Sequence, residues 1–497
     1  MTTIQGFHPL WGNADYFNGA LYNPAQAVQV DSKTGNVILG TGNPYNGVVI
    51  PGYSSFPSAA VGRVLAATPA TANQCDGASC TGLFAPNLSR SYINTYTPWQ
   101  PRLGMAYQIT PKTVVRAGIG RFVTRMGLLD NVFMGGNSPF QPFVTVNNVS
   151  VDNPGASLTN GTAAPLTITT LNQKLKPPEA WNWNVTVQRE LPLNTVLSVG
   201  YVSHRGLHAW QVYDINEPTV GALQANPGVN VNALRPYKGY AAIQEEESGV
   251  NSTYNALQIS WSRAFKGGSS FGFTYTYSKS MDGGSNYRDI VPDTYNTSNL
   301  WGPSEYDTRH VAIVNYIYDL PFFKGKSDMT GKLLGGWEIA GTAQFQTGAP
   351  CGIGTNNDFA GVGEFGSFGC GSQGQFWVLN GTPTISTGAF AGPVTTATSP
   401  KYFTANVTQP AAGTFNLQPG VRDAVYQPGL QDWNLALLKA FKVNERSSFQ
   451  FRAEAYDFIN HPNLSAPQLT PTSGQFGMIT SKTGLTRNLQ LSLRFSF

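Results

Sequence analysis

The sequence predicts an all-β protein, an antiparallel transmembrane β-barrel with long extracellular loops. Three observations predict it. Segments of about ten residues recur in which apolar and polar side chains alternate, the period-two mark of strands with two unlike faces. Short turns alternate with long connections, as Lys266 to Gly268 does with Pro350 to Gly429, and membrane barrels have short turns on one side and long loops on the other. Charged residues are 12% of the 497, about half the share of soluble domains, while Gly (54), Tyr (22) and Phe (28) are plentiful; a soluble surface would be short of charge.

The same features exclude other classes. No run approaches the 18 or more apolar residues of a membrane helix, so a bilayer would be crossed by strands. A net charge of +4 without a Lys/Arg cluster leaves no footprint for nucleic acid. The start, MTTIQGFHPLWGNADY, lacks the basic and apolar regions of a secretory signal. Either the chain stays inside or its true N-terminus lies upstream.

Residues 1–100 are rich in turn formers and predict a loop-rich segment with isolated short strands. Residues 101–497 predict the hairpins. Arg102 to Ile109 and Thr113 to Phe122 flank a Thr110-Pro111-Lys112 turn, with Val115, Ala117 and Ile119 alternating against Arg116, Gly118 and Gly120. Asn182 to Arg189 and Thr195 to Val202 follow, with Trp183, Val185 and Val187 opposite Asn184, Thr186 and Gln188. The division is sharpest in Asn255 to Phe265 and Phe271 to Ser280. There Leu257, Ile259, Trp261, Phe271, Phe273, Tyr275 and Tyr277 form an apolar face expected to meet lipid, and Gln258, Ser260, Thr274 and Thr276 a polar face expected to line a wet lumen. Asp307 to Leu320, Trp337 to Gln346, Trp433 to Phe441, Ser448 to Phe458 and Asn488 to Phe497 complete eleven strands. Weaker ones are expected in Ser91 to Tyr96, Phe143 to Val149, Leu166 to Thr170 and His208 to Ile215. The ending, NLQLSLRFSF, sets Leu489, Leu491, Leu493, Phe495 and Phe497 on one face.

The four cysteines fall as two close pairs in loop-like stretches, Cys75 with Cys80 and Cys351 with Cys370. Pairing in loops suits two small disulfide-closed loops in an oxidising compartment, with four free thiols the alternative. Zinc-ligand spacing is absent.

Chemical motifs are weak. Gly361 to Gly366 matches GxGxxG, but that fingerprint works between a strand and a helix, and neither flank fits. Gly268 to Gly272 matches GxSxG, yet a nucleophile elbow needs a helix after its turn. His204 and His208 sit beyond a strand, where helical ligand spacing has no meaning. Glu245, Glu246 and Glu247 with Asp289 and Asp293 read as solvated loop charge, since spacing fixes no partner acid or base. No catalytic constellation, cofactor site or metal site emerges, and a non-enzyme is expected.

Several blocks together resemble one family: PWQPRLGMAYQITPKTVVRAGIGRF (Pro98 to Phe122), WNWNVTVQRELPLNTVLSVGYVSHRG (Trp181 to Gly206), YNALQISWSRAFKGGSSFGFTYTYSKSMD (Tyr254 to Asp282), EYDTRHVAIVNYIYDLPF (Glu305 to Phe322), LLGGWEIAGTAQFQTGAP (Leu333 to Pro350), FQFRAEAYDFINHPN (Phe449 to Asn463) and the ending RNLQLSLRFSF. The loop text from Ala20 to Gly52 is similar too. They resemble the C-terminal barrel portion of TonB-dependent outer-membrane receptors of the Oar-like, acidobacterial group. The resemblance implies part of a 22-stranded barrel, outer-membrane lipid and a TonB complex as partners, and a large or scarce ligand such as a siderophore, saccharide or peptide. It also implies that the terminal strand is an assembly signal ending at Phe497. In that family a signal peptide, a carboxypeptidase-regulatory-like domain, a TonB box and a plug precede the barrel. None is visible here, so a C-terminal fragment is expected. A structural or adhesive surface protein displaying its loops, or a passive pore, is the alternative.

Overall fold

The computed structural model describes residues 15–51, 75–76, 79–80, 84–85, 98–124, 133–137, 151–152, 161–286, 290–323, 326, 328–364, 370, 373–386, 401–442, 444, 446–484 and 486–497. Eleven strands form one continuous antiparallel meander: β1 (Arg102–Thr110), β2 (Thr113–Val123), β3 (Glu179–Leu191), β4 (Thr195–Asp214), β5 (Tyr240–Lys266), β6 (Ser269–Asp282), β7 (His310–Asp319), β8 (Trp337–Gln346), β9 (Leu430–Lys442), β10 (Ser448–Tyr456) and β11 (Asn488–Ser496). Each pairs with its neighbours in sequence. Among the described residues β1 pairs only with β2 and β11 only with β10, which leaves two sheet edges.

Register explains why alternation within each strand produces two faces of a whole sheet. Residues directly opposite in an antiparallel ladder share a face. Leu257, Ile259 and Trp261 stand opposite Tyr277, Tyr275 and Phe273, which stand opposite His310, Ala312 and Val314. In the other direction they stand opposite Tyr201, Val199 and Leu197, then Val185 and Val187. At the far end Phe451 and Ala453 oppose Leu493 and Leu491. One mainly apolar face thus runs from Leu103 and Met105 on β1 to Phe495 on β11. The other face carries Arg116, Thr186, Gln258, Thr274, Asn315, Thr342, Asn434, Arg452 and Arg494.

The short turns lie at one end. Gly267 and Gly268, with φ of 63° and 80°, form a two-residue turn whose left-handed conformations match strand twist. Pro111–Lys112 joins β1 to β2, and Pro192–Asn194 joins β3 to β4. The exception is the β7–β8 connection, where Asp328 caps the short helix α1 (Met329–Leu334) by accepting the Gly331 amide at 2.8 Å.

At the other end the connections fold into a cap. β4 and β5 extend to 20 and 27 residues, well beyond the expected Val202 and Asn255 limits and beyond what a bilayer needs. His208 to Ile215 is no separate strand: residues through Asp214 continue β4 past an irregularity at His208, whose φ is 59°. Leu166–Leu171 is a strand as expected, but it pairs parallel to β5, not antiparallel. β7 begins at His310 instead of Asp307, because the Asp307 carboxylate accepts the Ser280 amide at 2.7 Å and holds the chain in a turn. The expected strands at 91–96 and 143–149 lie outside the described residues.

Two small apolar clusters hold the cap. Phe17, Val48, Ile168, Tyr240 and Ile243 bring the N-terminal residues onto the projecting strands. Cys351, Ile353, Phe403, Val425 and Leu469 do the same for the connections after β8 and β10. Burial therefore concentrates in the cap, whereas the outward leucines of β11 are exposed by 66 to 73%.

Candidate functional site

The cap is welded by buried polar groups, each fixing backbone that has no regular structure to satisfy it. Asp214, at the end of β4, accepts the amides of Asn216 (3.0 Å) and Ile243 (2.9 Å) and an Arg235 guanidinium N–H at 2.6 Å. Asn216 donates to the Ala241 carbonyl (2.8 Å) and accepts the Tyr237 amide (2.7 Å). The Tyr240 hydroxyl donates to the Asn46 carbonyl at 2.8 Å, tying in the N-terminal segment.

Arg422 plays the corresponding part for the long connection after β8. Almost fully buried, it donates to the Asp282 carboxylate (3.0 Å), the Asp282 carbonyl (2.8 Å), the Leu300 carbonyl (2.6 Å) and the Ser285 hydroxyl (3.1 Å). One side chain thereby joins β6, the β6–β7 connection and the β8–β9 connection.

Several buried carboxylates lack such cations. Burial pushes the Glu217 carboxyl up to about 8, against the opposing hydrogen bond from the Thr294 amide at 2.7 Å. Burial likewise raises Asp15 to about 8. Both carboxyls are proton-holding groups at neutral pH. They do not assemble a metal centre: among the described residues no group of three or more His, Cys, Asp or Glu could hold a metal ion.

The sequence motifs resolve into structure. The glycine-rich turn from Gly361 does cradle an anion, but the anion is Asp358 of the chain itself, which accepts the amides of Gly361 (2.8 Å), Val362 (3.2 Å) and Gly363 (2.6 Å). Gly268 to Gly272 is a hairpin turn entering β6. His204 bonds the Asn182 side chain at 2.7 Å, and His208 lies 4.0 Å from Glu179. Glu245 and Glu247 share Asn172, Asp293 caps a turn through the Tyr295 amide at 2.9 Å, and Asp289 lies outside the described residues. Cys351 and Cys370 are joined by a disulfide within the second apolar cluster. Cys75 and Cys80 are register partners of a small hairpin.

Among the described residues two surfaces suit a ligand. In the β6–β7 connection Tyr295, Trp301 and Tyr306 are exposed by 60, 46 and 69% and present aromatic faces. On the polar wall a cavity of about 340 Å3 lies between β7 and β10, lined by Asn315, Thr342, Asn434, Arg452 and Glu454, the last two ion-paired at 2.9 Å. Sequence reasoning missed both. Nothing in a loop's text separates an exposed tryptophan from a packed one, and the cavity gathers residues scattered from 315 to 454.

The chain matches the family described as Outer membrane beta barrel domain over residues 12–490. The chain belongs to that family. As a member of the outer membrane beta-barrel family it is an outer-membrane protein, and among its described residues no helix is long and apolar enough to cross a membrane. Its fold is similar to the outer membrane transporter YddB from Escherichia coli (12% identity, 81% of this chain, 40% of that one, TM-score 0.40). It is also similar to the FrpB iron transporter from Neisseria meningitidis (10%, 81% and 39%, TM-score 0.40). A third similar structure is the ferripyoverdine receptor of the outer membrane of Pseudomonas aeruginosa bound to ferripyoverdine (10%, 82% and 34%, TM-score 0.37). The chain spans 40% or less of these three structures. Among curated proteins none matches.

Proposed function

We propose that this barrel chain is the C-terminal strand set of an Oar-like TonB-dependent receptor that takes up a large or scarce ligand, the folded cap being the ligand-facing surface. One observation carries the reading. An eleven-stranded meander with one polar and one apolar face ends in a cap of buried ion pairs and, among the described residues, keeps two edges free. A free edge does not persist in hydrocarbon. Strand parity says what closes it: eleven alternating strands leave β1 and β11 running the same way, so an all-antiparallel barrel needs an odd number of further strands between them. Eleven more would make 22, supplied by the remainder of a longer parent protein. Residues 1–100 would then belong to its loop-rich segment and 101–497 to its closing hairpins, with plug and TonB box in the same parent.

A cap held by buried ion pairs and apolar clusters favours recognition over a bare pore. The test is uptake of labelled siderophore, oligosaccharide and oligopeptide panels by cells making the full-length parent, with and without a protonophore. Energy-dependent uptake of one class, lost in Trp301→Ala/Tyr306→Ala protein, is expected. Uptake indifferent to the protonophore would mean a passive pore, and binding without uptake would mean a display protein.

A further inference from the structure

The outward face is not uniformly apolar. At the cap end of β7, β8 and β9 a cavity of about 390 Å3 opens between His310, Ala312, Phe345, Thr347, Gly429 and Gln431. Ala312, Phe345 and Gln431 are successive register partners on the apolar face, so the notch belongs to the outside of the sheet, not the lumen. Its floor is greasy: Phe345 meets Trp433 edge to face with centroids 5.0 Å apart, and Ala312 is too small to fill the space between strands. Its upper wall is polar. The exposed His310 ring hydrogen-bonds the Tyr275 hydroxyl at 2.8 Å and lies against Tyr277, centroids 5.1 Å apart. Gln431 bonds His461 at 2.8 Å, and the other ring nitrogen of His461 is buried without a partner.

A cation overlooks this wall. Tyr277 is the register partner of His310, and the exposed Lys279 follows it by two on the same face. Lys279 is thus the diagonal neighbour of His310, about 7–8 Å away by sheet geometry.

We propose that the notch holds one lipid with an anionic, phosphate-bearing headgroup. An acyl chain lies over Ala312, Phe345 and Trp433, and the phosphate turns up toward Lys279, His310 and Thr347. The gradient from apolar floor to polar wall to cation reproduces that of a bilayer edge, where aromatic rings sit at headgroup level and basic residues attract anionic headgroups. A second protein copy would match the floor and leave the polar wall unused. The inference rests on the apolar face being the lipid-facing one.

The experiment is native mass spectrometry of the full-length parent protein folded in maltoside detergent, offered phosphatidic acid or phosphatidylcholine with identical acyl chains. One phosphatidic acid per chain is expected, preferred about ten-fold over phosphatidylcholine. Ala312→Phe, which fills the floor, should lose the bound lipid, while Ala453→Phe, at an outward alanine on β10, should retain it; heat-modifiable mobility reports folding of each. Lys279→Gln, at an exposed site, should lower the preference without changing phosphatidylcholine retention. Equal retention of both lipids by the native chain, undiminished binding by folded Ala312→Phe protein, an unchanged preference in Lys279→Gln, or a dimer in place of a lipid adduct would overturn the proposal. Uptake by a Lys279→Gln parent should be native, so loss of the lipid site and loss of the receptor reading are separable.

Discussion

Phe273 and Thr274 are chain neighbours on opposite faces of the sheet. Phe273 stands between Trp261 and Val314 on the apolar face, Thr274 between Ser260 and Ile313 on the other. Phe273→Arg should therefore cost about 2–4 kcal/mol near the bilayer midplane, and Thr274→Arg far less; folding titrations in lipid vesicles would show the difference, and equal tolerance would contradict the assignment of faces. Glu217 makes a second prediction at this scale. Its folded-state pKa, about 8, lies above its ordinary 4.5, so the folded cap holds a proton the unfolded chain has released. The contribution of Glu217 to cap stability is then fully present below about pH 4.5 and is lost as pH rises to about 8. Limited proteolysis across that range should show the decline, and Glu217→Gln should flatten it. Facing residues were legible in the sequence because a period of two needs no tertiary knowledge. Glu217 was not, since its burial depends on Thr294 and on strands that project beyond the bilayer.

Among elements, all eleven sheet strands were visible in the alternation, and their turns in Gly-Gly, Pro-Lys and Pro-Leu-Asn. What escaped was length and context. Glu245, Glu246 and Glu247 in β5 contradict strand propensity, yet β5 runs through them because β4 and the parallel Leu166–Leu171 strand pair with that segment. Long connections looked unstructured because their order comes from contacts as distant as Arg422 with Asp282. Removing that tie is a test at this scale. Asp282→Asn leaves a buried guanidinium without its counter-charge and should destabilise the cap by about 3–5 kcal/mol. Hydrogen exchange should then rise in the 283–309 and 347–429 connections while the β7–β8 ladder stays protected. Uniform loosening would show that cap and sheet unfold as one unit.

At the scale of the molecule the terminal strand carries a prediction about assembly. Leu489, Leu491, Leu493 and Phe495 continue the apolar face of β10, and Phe495 stacks on Phe497 with centroids 5.8 Å apart. Deleting Phe497 from the full-length parent proposed above should lower its outer-membrane yield, and this chain alone should insert poorly with or without the residue, since among the described residues its edges at β1 and β11 lack partners. Heat-modifiable mobility of membrane fractions compares the four cases. Efficient insertion of the isolated chain would mean that the sheet closes on itself.

The odd number of strands also sorts the chain's own segments by compartment. β1 descends from the cap to the turn at Pro111, and β11 descends from the connection after Tyr456, so the segment ahead of β1 and the residue behind β11 stand on opposite sides of the sheet. The 15–51 segment, docked on Tyr240 and Ile168, shares the cap's compartment; Phe497 shares that of the tight turns. A membrane-impermeant label on whole cells would therefore give a yes-or-no answer, reaching a cysteine placed at exposed Ala25 and never one placed at Phe497. In a folded, inserted molecule these two tags could not both be outside.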